Sequence, residues 1–292
     1  MSKLALGTAQ FGMSYGISNK YGQTTQDQII KILKLAQKND IRVLDTAALY
    51  GNSENMLGGV LDDFDWKVVL KTPHFNDEIV IEKKLELLNK YFFKSLQYLG
   101  RNKAYGLLIH DCNDLFNSDG EQLFGEMKKL RSLGLVKKIG VSVYTGDQID
   151  QLLNNFDIDI IQLPVNIFDQ RLVNSRRLEK LKQYGIEIHA RSVFLQGLLL
   201  MPTKSIPPYF SPIKNYIKKF SDMANELSIS KLELALGYVL GINEINKVIV
   251  GVNTAKQFEQ IIGASISEIP FVEFNSLSID DPIFVDPSCW RI

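Results

Sequence analysis

Short apolar runs alternate with longer amphipathic stretches from one end of the chain to the other. Eight runs read as strands: KLALGTA (3–9), IRVLDTA (41–47), KVVLKT (67–72), AYGLLIH (104–110), KKIGVS (137–142), DIIQLPVN (159–166), IEIHARS (186–192) and NKVIVG (246–251). Their nearly continuous apolar character fits strands covered on both faces. Between them, apolar positions return at helical spacing. Residues 24–40 carry Ile29, Ile30, Ile32, Leu33 and Ala36 on such a pattern, with Thr25 placed to cap the helix. Further helices are predicted over 53–63, opened by Asn52 or Ser53, and over 77–100, as one bent helix or two short ones. Others are predicted over 121–134 and 175–185, ended by Gly134 and Gly185, and over 213–227, 230–240 and 254–265. No element is predicted between 143 and 158.

Eight strands with helices between them favour a closed (β/α)8 TIM barrel, a single domain over 1–292 with an irregular C-terminal tail near the barrel mouth. An open sheet is the other arrangement this alternation allows. Gly7, Gly12 and Gly16 do not form a GxGxxG turn, so a doubly wound dinucleotide domain has little support.

Composition removes some functions. The 292 residues are 45% hydrophobic and 23% charged, ordinary values for a soluble globular protein. Thirty-three basic residues balance 33 acidic ones, so no nucleic-acid footprint is present, although a small anionic ligand remains compatible. The opening MSKLALGTAQFG has no charged leader followed by an apolar region, and no run is long enough for a membrane span. A cytoplasmic protein without a membrane partner is expected. Cys112 and Cys289 are too few for a disulfide framework or a zinc site, so no metal is expected.

Asp45, Tyr50, Lys71 and His110 lie at or just past the C-terminal ends of the second, third and fourth strands. In a (β/α)8 barrel those ends share the face where chemistry is done. An acid, a phenol, an amine and an imidazole converging there make a proton-transfer constellation.

The motif LDTAALYGNSE (44–54), the lysine of VVLKT and the histidine of LLIHD resemble the catalytic signature of the aldo-keto reductase family. GTAQFG resembles the family's opening strand and loop. GVS (140–142) and IIQLPVN (160–166) resemble the strands that hold a nicotinamide carboxamide. SVFLQGLL (192–199) resembles the segment under the cofactor diphosphate, and VIVGVNTAKQFEQ (248–260) the strand and helix gripping the adenosine half. GTAQFG and RSVFLQGLLL are also similar to a branch associated with surface-polysaccharide and nucleotide-sugar pathways.

The resemblance implies reduction of an aldehyde, ketone or keto-sugar by hydride transfer. Tyr50 would donate the proton, Lys71 would lower the phenol's pKa, Asp45 would hold Lys71, and His110 would orient the carbonyl. It implies cofactor contacts at Gly7, Thr8, Ser142, Gln162, Arg191, Ser192, Phe194, Gln196, Gly197, Gly251, Asn253 and Gln257. Substrate contacts are expected from Phe11, Tyr15, His110 and Trp290. The expected cofactor is NADP or NAD, with NADP slightly favoured, and the expected state is a monomer or weak homo-oligomer.

Two positions depart from the family pattern. Arg191 stands where an aromatic residue commonly stacks on the nicotinamide, and Gly251–Ile261 lacks the usual phosphate clamp, with Lys256 as its partial substitute. A non-catalytic, cofactor-sensing or partner-binding relative is the alternative reading. A different barrel enzyme, such as a sugar isomerase or lyase, would need a metal cluster or a Schiff-base lysine.

Overall fold

The computed structural model describes residues 2–75, 78–267, 269–270 and 272–291. Its eight parallel strands close a barrel in chain order. They are β1 Leu4–Gly7, β2 Val43–Asp45, β3 Lys67–Lys71, β4 Ala104–Ile109, β5 Val136–Ser142, β6 Ile160–Pro164, β7 Glu187–Arg191 and β8 Lys247–Gly251. β1 pairs with both β2 and β8, which completes the ring.

Side chains alternate across a strand, and register partners share a side. Ala5, Val43, Val69, Leu108, Ile160 and Ile249 form a cluster of their own, apart from the larger apolar core. They fill the barrel interior. Two residues further along each strand, the same parity aims Gly7, Asp45, Lys71, His110, Ser142, Gln162 and Gly251 at the barrel mouth. Arg191, two positions beyond His189 on β7, joins them by pairing beside Pro164. The sheet geometry alone gathers these residues from seven strands and the end of β4.

The opposite end of the interior is polar and closed on itself. Glu187 accepts hydrogen bonds from Tyr105 Oη (2.6 Å) and Lys138 Nζ (2.5 Å), and shares one with Nε2 of the fully buried His189 (2.7 Å). Burial works to raise the Glu187 pKa. The bonds from His189, Lys138 and Tyr105 outweigh it and hold the carboxyl below the usual carboxylate range.

The helices follow the predicted order, with differences of physical interest. Thr25 caps Gln26–Lys38 through the N–H of Gln28. Ile81–Leu99 is a single helix ending at Gly100, which adopts φ +62°. Asp77, where that helix was expected to begin, lies outside the described residues. Ser53–Gly58 is shorter than expected. It crosses Ile81–Leu99 so closely that a Cβ on Gly58 would lie 1.6 Å from the carbonyl oxygen of Tyr98.

An unpredicted helix, Gly146–Asn155, fills the connection between β5 and β6. It buries only Ile149 and Leu152, too sparse a pattern to stand out, but Thr145 and Gln148 form a reciprocal capping box at its start. β6 ends at Pro164, short of the predicted Asn166. The Asn166 side chain accepts from the N–H groups of Phe168 and Asp169, both at 2.9 Å, and so makes a turn.

The tail runs over the loops on the mouth side of the barrel. Leu277, Ile279 and Val285 are buried, and the Ile279 N–H donates to the Phe168 carbonyl at 2.8 Å. Trp290 packs edge-on against Phe210, with ring centroids 5.0 Å apart, and its indole N–H donates to the Phe284 carbonyl. It fastens the tail and does not reach the cavity at the barrel mouth, contrary to its expected substrate contact. Among the described residues, no helix is long and apolar enough to cross a membrane.

Candidate active site

Tyr50 is set in place by a turn that only glycine permits. The single helical turn Ala9–Gly12 packs onto the loop carrying Tyr50, and a Cβ on Gly12 would lie 1.7 Å from the Tyr50 carbonyl oxygen. Gly51 adopts φ +58° and faces the Gly12 carbonyl. Ser53 then ties the loop to the barrel, donating to the Thr8 carbonyl (2.8 Å), while Thr8 Oγ1 donates to the Asp45 carbonyl (3.0 Å). Phe11 sits on the inner side of the same turn, fully buried in the core. The expectation that it touches substrate is therefore corrected: it anchors the turn. Its neighbour Gln10 faces the cavity instead, against Gly251.

At the centre lies a buried ion pair. Lys71 Nζ donates to both carboxylate oxygens of Asp45, at 2.6 and 2.7 Å, and to Tyr50 Oη at 3.2 Å. The side chains of Lys71 and Asp45 are 1% and 5% exposed. Gln162 Nε2 adds a bond to Asp45 Oδ1 at 2.7 Å. Burial lowers the Lys71 pKa, and the charge and hydrogen bonds of Asp45 only partly oppose this.

The Tyr50 phenol is raised above its ordinary value, by burial first and by the Asp45 charge second, with Arg191 opposing. This reverses the expected lowering by Lys71. The ammonium is already neutralised by Asp45, so the phenol keeps its proton. The His110 ring lies edge-on to Tyr50, at 6.1 Å and 86°, and stacks on His74 at 4.9 Å. Burial, then the charges of Lys71, His74 and Arg191, push its pKa down to about 3. Its Nδ1 is buried with no hydrogen-bond partner among the described residues.

These groups open into a cavity of about 410 Å³. Asp45, Tyr50 and His110 form one end, with Lys71 behind them. Ser142, Gln162 and Arg191 continue the wall, the turn from Ser192 to Gly197 follows, and Gly251, Asn253 and Gln257 form the far end. With Gly7, Thr8, Phe194 and Gln196, every position expected to face a cofactor lines this space, as does Tyr15. Gln260, within the Gly251–Ile261 stretch, also lines it, and so do Tyr144, Gln10, Ser18 and Asn19, which had not been singled out. Tyr144 was the most accessible of these to sequence reasoning, since it lies two residues beyond Ser142.

Ser192, Leu195, Gln196 and Gly197 all have positive φ, at +61°, +46°, +52° and +92°. A cluster of left-handed residues is a strained arrangement, and here the Leu195 and Gly197 N–H groups donate to the Ser192 and Phe194 carbonyls. The first loop closes over it, and Ser18 packs against Gly197 so tightly that a Cβ there would lie 1.8 Å from the serine Oγ. A buried imidazole nitrogen unpartnered among the described residues, a polar wall of Ser142, Gln162 and Ser192, and a far end of carboxamides fit a nicotinamide dinucleotide. Among the described residues, no group of three or more His, Cys, Asp and Glu side chains is placed to hold a metal ion.

The family model described as "Aldo/keto reductase family" matches residues 3–279, and the chain belongs to that family. It is an NAD(P)H-dependent oxidoreductase of carbonyl compounds. An L-galactose dehydrogenase from Arabidopsis thaliana is 26% identical over 297 residues, covering 95% of this chain and 88% of the relative. Among solved structures, the holo form of an aldo-keto reductase from Bacillus halodurans superposes with a TM-score of 0.75 at 19% identity, covering 94% of this chain and 90% of that one. A glycerol dehydrogenase from Gluconobacter oxydans has a TM-score of 0.70 at 20% identity, covering 93% and 88%.

The His110 shift has a consequence for stability. The unfolded imidazole, near its ordinary value of 6.5, binds a proton that the folded one refuses until about 3. The contribution is present in full above pH 6.5 and is lost as pH falls through the window between those values. Urea unfolding of His110→Gln at pH 7 and at pH 5 is expected to show a smaller acid loss of stability than the parent shows.

Proposed function

We propose that the chain reduces an aldehyde or ketone, with keto-sugars among its substrates, and that Tyr50 gives the proton. The observation that carries this reading is the Tyr50 hydroxyl at the cavity wall, accepting from a Lys71 held by Asp45. Bound NAD(P)H supplies the hydride to the carbonyl carbon. As negative charge grows on the carbonyl oxygen, a donor must meet it. Lys71 donates to the Tyr50 oxygen, so the phenolic proton is directed away from the ammonium and toward the cavity. When that proton leaves, the phenolate forms 3.2 Å from Nζ, in a site too buried for water to screen the attraction. His110, neutral across the physiological range, is an uncharged hydrogen-bonding partner for the carbonyl oxygen. Gln162 gives one amide N–H to Asp45 and retains its carbonyl oxygen for a ligand.

For Tyr50→Phe, turnover is expected to fall by roughly 10²–10⁴-fold, the usual range for a positioned proton donor. Cofactor affinity, read by fluorescence titration, should stay near that of the parent. Unchanged turnover would remove Tyr50 from the role.

The far end of the cavity supports NAD over NADP, against the expected order. Leu232, Asn253, Gln257, Gln260 and Ile261 line it, and none is a cation. Most of the N–H groups at the start of Ala255–Ala264 are already occupied. Gln257 Oε1 takes those of Asn253 (2.9 Å) and Thr254 (3.2 Å), Gln28 Oε1 takes Ala255 (2.9 Å), and Thr254 Oγ1 takes Gln257 (3.2 Å). Lys256 is exposed and does not line the cavity. A 2′-phosphate would arrive without charged partners, whereas a ribose hydroxyl suits carboxamides. Calorimetric titration is expected to give NADH a dissociation constant about 10-fold or more below that of NADPH, the worth of one absent charged hydrogen bond. Equal affinities, or tighter NADPH, would reverse the assignment.

A further inference from the structure

We propose that Arg191 is an oxyanion-recognition residue, and that the carbonyl substrate carries a carboxylate or phosphate group. This rests on the reductase reading and names its substrate class. Arg191 has no carboxylate partner among the described residues. Arg42, Arg131, Arg171 and Arg177, by contrast, each face one. The acid that lines the same cavity, Asp45, is taken by Lys71. With that pair neutral, Arg191 leaves the lining with one uncompensated positive charge.

The guanidinium is also held in place. It lies 4.2 Å from the Tyr144 ring centroid, donates to the Val143 carbonyl at 3.1 Å and to Ser192 Oγ at 3.3 Å. Those bonds use two of its five N–H donors and leave a preorganised set for a planar or tetrahedral oxyanion. It lines the same cavity as Tyr15, Tyr50 and His110, the end where the carbonyl would react. Beside an oxidised, positively charged nicotinamide an isolated guanidinium is unfavourable, and an anionic substrate or product would offset that repulsion.

The test uses three two-carbon aldehydes that differ in charge: glyoxylate, glycolaldehyde phosphate and neutral glycolaldehyde. With saturating NADH, the parent protein is expected to favour at least one anion over glycolaldehyde by about 10-fold or more in kcat/KM. The relative standing of glyoxylate and glycolaldehyde phosphate separates carboxylate from phosphate. In Arg191→Met the anion-to-neutral ratio should collapse toward one, mainly through KM, and Arg191→Lys should restore part of it. Fluorescence titration of NADH should show little change in Arg191→Met. A ratio near one in the parent protein, or equal slowing of all three aldehydes with weakened NADH binding in the variant, would overturn the proposal and give Arg191 to the cofactor.

Calorimetric titration of the NAD⁺-loaded protein with the same anions separates this from the wider reading. Anion binding that is lost in Arg191→Met, without turnover of any carbonyl, would sink the reductase reading and leave the anion site standing. Turnover without anion preference or anion binding would do the reverse.

Discussion

Two opposite charges buried side by side at the barrel mouth hold the site together. Removing a carboxylate and an ammonium from water costs several kcal/mol per ion, and their attraction offsets that only with close geometry and further hydrogen bonds. Asp45 meets the condition by accepting two bonds from Lys71 and one from Gln162, which joins β2, β3 and β6 across the barrel interior. The pair also decides what Tyr50 is. A free ammonium at 3.2 Å would draw the proton off a phenol, but an ammonium shared with Asp45 does not. In the proposed reduction the phenol would rest as an acid, and Lys71 would act on it only as the proton departs.

The ion pair needs Tyr50 delivered to it, and that task falls to backbone constraints in another part of the chain. Gly12 and Gly51 touch where neither can carry a side chain, and Ser53 and Thr8 bind the resulting loop to β1 and β2. The motifs GTAQFG and YGNSE are therefore two halves of one contact. This is a physical reason for glycines that stand beside the chemistry without taking part in it.

Most of the fold was legible because two periodicities carry it: apolar runs for the strands and helical spacing for the segments between. Strand parity made most of the cavity wall legible too, since residues two apart on a strand share a face. Legibility failed where direction is set by something else. Phe11 and Gln10 are adjacent on a one-turn helix, and the sequence did not say which would face the cavity. Trp290 follows a tail whose course depends on distant packing against Phe210 and Phe284. The lowered phenol pKa was expected from Lys71 alone, and the burial that reverses it is a tertiary quantity. Gly146–Asn155 passed unseen because two buried side chains make a weak pattern, although its capping box was present in the sequence.

Charge along the cavity is distributed unevenly, and the unevenness carries information about what it holds. The catalytic end contains a neutralised pair and a neutral imidazole. The described residues of the far end are carboxamides and apolar groups without a cation, so none of them would offset the desolvation of a further phosphate. Between them Arg191 concentrates the positive charge of the lining, close to the carbonyl end. A protein that used this arginine only as a flat surface would gain nothing from its charge, since an aromatic ring stacks without the desolvation penalty. The charge is meaningful where it meets an opposite one, and no described side chain supplies it. The ligand is then the natural source of the balancing charge. Its position beside Tyr144 and within reach of the Tyr50 and His110 fields points to the reacting molecule more than to the distant end of the cofactor.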